Sequence, residues 1–124
     1  MVEENWREFI KRKRLEYKNI GHIECPALGN EKIYFNKYGW DHLMRKNGKL
    51  RPIYQQFRRM RLLPYVISIV SDAKTSASHS VSEEDGCPCH FWAFEEIINL
   101  KSVRVVIRKI GNGRTHFFSV MDDS

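Results

Sequence analysis

Gly111-Asn112-Gly113 lies between two apolar runs with partial alternation, SVRVVIRKI at 102–110 and RTHFFSVM at 114–121. Glycine and asparagine accept the backbone of a tight turn, and β-branched and aromatic residues suit a pleated strand. The stretch therefore predicts an antiparallel hairpin. With a three-residue loop, Ile110 faces Arg114, Arg108 faces His116, Val106 faces Phe118 and Arg104 faces Val120. Opposed residues share a face of the sheet. One face then holds Val103, Val105, Ile107, Thr115, Phe117, Ser119 and Met121, suited to cover helices. The other holds Arg104, Arg108, Arg114 and His116 around Val106 and Phe118. Such a surface suits RNA, because cations meet phosphates and aromatic rings stack on bases. It also suits the wet side of an ordinary sheet, and a loop of another length would change the pairing.

The rest of the chain supplies what packs behind that hairpin. Residues 3–18 read as a helix, with Trp6, Phe9, Ile10, Lys13 and Tyr17 near helical spacing and Glu3 and Glu4 at the favourable end of the dipole. The basic run Lys11–Arg14 is its solvated side or a nucleic-acid arm. A glycine- and proline-bearing connector at 21–30 includes a short strand at 22–25, and 31–36 reads as a second strand. Residues 40–46 predict a short helix with Trp40, Leu43 and Met44 inward, stopped by Asn47-Gly48. Residues 52–63 predict the best helix, with a stripe of Ile53, Phe57, Met60 and Leu63 and with Arg58, Arg59 and Arg61 off it. Pro64 is expected to end that helix, and Tyr65–Val70 reads as a buried strand. Residues 71–88 are serine-rich and polar and read as a long mobile loop before a strand at 90–98.

Helices early and strands late predict an α+β fold, with helices on one face of an antiparallel sheet of about four strands. The 124 residues fit one domain: an N-terminal helix and connector over 1–30, and a core over 31–121. No apolar run approaches the ~18 residues of a membrane span, and the charged start MVEENWREFI is unlike a secretory leader. A cytoplasmic location is expected. Charge is unevenly placed: residues 1–61 hold 15 lysines and arginines against 7 acids, and residues 62–124 hold 6 against 8. A basic half fits a nucleic-acid partner.

RNA cleavage needs no metal when side chains move the protons. A base takes the proton of the 2′-OH, an acid protonates the leaving 5′-oxygen, and cations stabilise the transition state. Histidine serves either role near neutral pH. His42 has Arg45 and Lys46 at i+3 and i+4 on the short helix, and His116 lies across from Arg108. No cofactor is implied. The three cysteines are an odd count for a disulfide framework. Cys87, Cys89 and His90 with the distant Cys25 offer a weak zinc alternative, because C-x-C is an awkward chelate.

The stretches IYFNKYGWDHLMRKNGK, PIYQQFRRMRLLP and VRVVIRKIGNGRTHFFSVMDD together resemble the phage-associated Barnase–EndoU–Colicin–RelE-like nucleases over roughly residues 31–121. The resemblance implies a barnase/RelE-like arrangement of helices and sheet. It also implies a metal-independent endoribonuclease, a toxin of a phage or mobile element, with an acidic antitoxin or immunity protein as partner. On the matching positions it implies His42, His116 and Ser119 in catalysis beside Arg104 or Arg108. The hairpin argument favours Arg108 as the catalytic cation. Arg45, Lys46, Arg104, Arg114 and Phe118 are the expected RNA contacts. Two alternatives stay open: an RNA- or DNA-binding module without catalysis, and a protein-interaction domain with a basic docking face.

Overall fold

The computed structural model describes residues 5–75 and 78–123. Glu3 and Glu4, expected at the head of the first helix, lie outside the described residues. Helix α1, Trp6–Ile20, starts at Asn5, whose side chain accepts from the Glu8 backbone N–H. Tyr17 is buried, with Phe9, Ile10 and Ile20 against the core, so the sequence stripe faces inward. Strand β1, His22–Cys25, and strand β2, Glu31–Tyr34, form an antiparallel pair. Helix α2, Lys37–Met44, begins at Asn36, whose side chain accepts from the Tyr38 N–H. Leu43 is buried, and Trp40 and Met44 pack at the core edge, as the spacing predicts.

Asn47-Gly48 does more than stop α2. Both residues have positive φ, 54° and 78°, and they turn a two-residue strand β3, Arg45–Lys46, onto β4, Lys49–Leu50. Helix α3, Ile53–Arg61, is rotated from the expected stripe. Ile53 and Phe57 are exposed, and Gln56 and Met60 point inward.

Two expectations fail here. Pro64 does not end a helical region, and Tyr65–Val70 is not a strand. Helix α4, Leu63–Asp72, takes Pro64 into its first turn, where a missing N–H costs nothing. Leu63, Val66, Ile69 and Val70 are its buried residues, spaced three to four apart rather than two. The β-branched Val66, Ile69 and Val70 suggest a strand, and burial in the core overrides that preference. The expected mobile loop at 71–88 is also corrected. Ser78–Glu84 is strand β5, paired antiparallel with β6, Cys87–Ile98, around a turn at Asp85 and Gly86, both with positive φ.

Strand β7, Lys101–Ile110, and strand β8, His116–Asp122, are the expected adjacent hairpin strands. The order β1-β2-β8-β7-β6-β5 makes a sheet of six strands where about four are expected. Strand β1 forms where a short strand is expected in the connector, and β5 is the strand built from the serine-rich stretch. All pairings are antiparallel except β2 with β8, which meet in parallel at Tyr34 and His116. Tyr17, Leu43, Met60, Val66, Ile69 and Val70 of the helices share one core with Ile33, Phe94, Val105, Ile107 and Phe117 of the sheet. The chain is thus α+β, and no helix among the described residues is long and apolar enough to cross a membrane.

The β7–β8 register departs from the simple hairpin at one place. Arg108 faces His116 and Ile107 faces Phe117, but Val106 faces Ser119 and Arg104 faces Met121. Phe118 is the extra residue of a β-bulge, which flips the alternation beyond it. Ser119 and Met121 therefore join the arginine-bearing face, and Val120 is buried. Ile110 and Arg114 are not ladder partners, because β8 starts only at His116.

Candidate functional site

Helix α2 lies along β8, and Gly39 lets it come close. That approach brings the α2 residues Tyr38 and His42 to the bulged strand. The Tyr38 ring is 5.5 Å from that of His116, and the His42 ring is 4.4 Å from that of Phe118. Between them lies Arg108 of β7. Its Nε donates to His116 Nε2 at 3.0 Å, and its guanidinium carbon is 4.2 Å from the centre of the Phe118 ring. Phe91 of β6 meets the edge of Phe118 at 5.8 Å. The bulge thus does structural work: the extra residue carries the ring that joins His42 to Arg108.

His116 is held at both nitrogens. Accepting from Arg108 at Nε2 requires the hydrogen on Nδ1, which donates to the Arg114 carbonyl at 3.2 Å. The side chain is 3% exposed, and burial, with the Arg108 charge, pushes its pKa below the ordinary imidazole range. This geometry suits an anchor for Arg108 better than a proton carrier. His42 differs. Its Nδ1 is buried without a hydrogen-bond partner. Burial, then Arg51, Arg59 and Arg108, lower its pKa to about 4, with Asp41 opposing weakly. The imidazole is neutral at pH 7 and surrounded by cations.

Two of those cations are residues that the sequence reading missed as site residues. Arg51 is buried, and its Nε donates to the His42 carbonyl at 3.0 Å. Arg59 donates to the Val120 carbonyl at 3.0 Å and to Ser119 Oγ at 3.5 Å. Its pKa falls to about 10, mainly from burial and secondarily from Arg51 and Arg58. Arg59 sits off the expected apolar stripe, so the sequence places it in solvent; only the rotation of α3 turns it inward.

Of the expected residues, His42, Arg108, His116 and Phe118 come together, and Ser119 joins them through Arg59. Arg104 does not: it pairs with Glu95 along the sheet. Arg114 lies over the Tyr34 ring at 4.4 Å. Arg45 pairs with Asp41 at 3.5 Å. Lys46 instead lines a neighbouring open groove of about 340 Å³ with Arg51, Arg58, Arg59 and Asp122. The zinc alternative is overturned. Cys25 is on β1 and Cys87, Cys89 and His90 are on β6, four strand spacings apart in the sheet order, roughly 19 Å. Among the described residues no three metal-ligating side chains converge.

The chain matches no family model, and no curated protein or solved structure is significantly similar to it.

The low pKa of His42 makes a stability prediction. An unfolded histidine takes a proton near pH 6.5, while the folded one resists until about 4. The unfolded state therefore binds more protons in this window. Stability from this group is full above pH 6.5 and is lost as pH falls towards 4, by roughly 2–3 kcal/mol. Urea unfolding of the wild type and His42→Gln at pH 7, 5.5 and 4 should show a shallower acid loss in the variant. Parallel pH curves would show that the imidazole is not held neutral by the fold.

Proposed function

We propose that this chain contacts RNA through the His42–Arg108 site and cleaves it as a metal-independent endoribonuclease. The observation that supports the reading is the placement of Arg108. Its guanidinium is anchored by His116, laid over Phe118 and set beside a neutral imidazole that three arginines surround. An excess of fixed cations around an uncharged base suits a phosphodiester, whose negative charge grows in the transition state.

In this reading neutral His42 takes the proton of the ribose 2′-OH. The 2′-oxygen bonds to phosphorus while the P–O5′ bond breaks, giving a 2′,3′-cyclic phosphate. Arg108 balances the charge on the phosphoryl oxygens. The departing 5′-oxygen takes a proton from the Tyr38 hydroxyl, whose ring lies near Arg108 and is exposed. His116 keeps Arg108 in place and moves no proton. This replaces the expected pair of proton-transferring histidines with His42 as base and Tyr38 as acid, beside an Arg108 that His116 positions. An acidic antitoxin, in the same reading, would cover this basic face.

A second reading, RNA binding without cleavage, is favoured by one observation: both nitrogens of His116 are engaged, so the site offers one imidazole for proton transfer. Incubation of the chain with total RNA in EDTA separates the two. Cleavage to products ending in 2′,3′-cyclic phosphate is expected. Intact RNA that is nevertheless retained on filters, with retention falling steeply with salt, would establish the second reading. Loss of all cleavage on EDTA treatment would rule out the metal-independent mechanism.

A further inference from the structure

The two edges of the six-stranded sheet are unlike. Strand β1 has four residues, ends in buried Cys25 and packs against α4. Strand β5 has seven residues, all exposed, and is the last strand in the sheet order. An uncovered edge offers a row of backbone donors and acceptors to any matching strand. Proteins usually block such an edge with proline, lysine or a bulge. SHSVSEE has neither proline nor lysine, carries its two glutamates, Glu83 and Glu84, only at one end, and keeps a register with β6 unbroken from Ser78 to Glu84.

We propose that β5 pairs antiparallel with β5 of a second copy of this chain, about a two-fold axis at Val81, making one continuous sheet. The strand's own pattern selects this register. With the axis at Val81, the midpoint of the strand, all seven residues find partners. Val81, 56% exposed in the single chain, meets its symmetry mate. His79 faces Glu83 of the other copy, and the same pair forms again across the axis. His79 Nε2 is already engaged with His90 Nδ1 at 2.9 Å. Its Nδ1 is left to donate to the Glu83 carboxylate. The stacked rings of His90 and Trp92, 5.2 and 5.0 Å from His79, hold the imidazole in place. Shifting the axis to Glu83 would oppose two carboxylates and leave His79 without a partner. A donor and an acceptor that meet twice about one axis thus choose a second copy over an unrelated strand.

Sedimentation equilibrium across the micromolar range, with hydrogen exchange at the β5 amides, tests this. The wild type should be dimeric, and its β5 amides should become protected as concentration rises. Glu83→Lys should weaken the dimer about tenfold, because the favourable pair is lost twice. Val81→Lys should make it monomeric by placing two cations on the axis. Both positions are exposed, and circular dichroism reports whether each variant keeps its fold. His79→Glu combined with Glu83→Lys should restore the dimer by reversing the pair. A wild type that stays monomeric, whatever else then occupies the edge, overturns the proposal. So does a dimer with unprotected β5 amides, or one that Glu83→Lys leaves unchanged. A doubly reversed chain that does not recover also counts against it.

Discussion

Replacing His42 by alanine is expected to slow RNA cleavage by roughly 10²–10⁴-fold, the usual loss with a general acid or base. Binding should change little, because the neutral imidazole adds no charge to the site. Arg108→Ala should instead lower both rate and affinity, since the guanidinium meets the phosphate before and during the reaction. Arg108→Lys keeps the charge but loses the planar fork that spans His116 and Phe118. It should recover part of the affinity and little of the rate. His116→Asn, which removes the anchor, should resemble a weaker Arg108 variant and leave the acid limb of the pH profile where it was. That limb belongs to His42 and should fall below pH 5, towards its pKa of about 4. Wild-type cleavage by His42→Ala would remove His42 from the chemistry. A limb that moved with His116 would return the proton-carrying role to that residue.

Gly39→Ala is expected to be among the most damaging single-methyl additions, at about 3 kcal/mol, the top of the usual overpacking range. A Cβ at Gly39 would press on the Tyr17 hydroxyl and lie 2.6 Å from the Phe117 carbonyl and 2.7 Å from its ring. The carbonyl is part of β8 and cannot turn away. The Tyr17 hydroxyl is fixed as well, because it donates to the Asn36 carbonyl at 2.6 Å. Either α2 lifts from β8 or the strand bends, and both moves disturb the Phe117 core. Urea unfolding gives the loss directly. Tyr17→Phe combined with Gly39→Ala should recover only part of it, because the clash with Phe117 remains. The same shift would carry His42 off Phe118, so cleavage should fall even where the variant stays folded. A Gly39→Ala chain of wild-type stability would show that α2 does not sit this close to β8.

The chain's local patterns were legible before any fold was known. The Gly111-Asn112-Gly113 turn between two apolar runs marked β7 and β8, and it placed Arg108 across from His116. Turn chemistry and a two-residue period act within a few positions, so they survive in the sequence. The inward stripe of α1 and the burial of Leu43 were readable for the same reason, at a period of 3.6.

Tertiary structure alone decided the rest. Residues 63–72 are helical because four apolar side chains at helical spacing find the core, although their β-branched composition suits a strand. Residues 78–84 are a strand because β6 supplies the pairing; their polar side chains carry no apolar signal of it. The bulge at Phe118 adds one residue to one strand, and nothing in the alternation marks where. That single residue reverses which face Ser119 and Met121 occupy, and it puts an aromatic ring between His42 and Arg108. Arg51 and Arg59 enter the site by the rotation of α3 and by burial against α2 and β8. Their convergence on one imidazole joins positions far apart in the chain. A sequence encodes such a meeting only through the packing free energy of the whole core, which no local window contains.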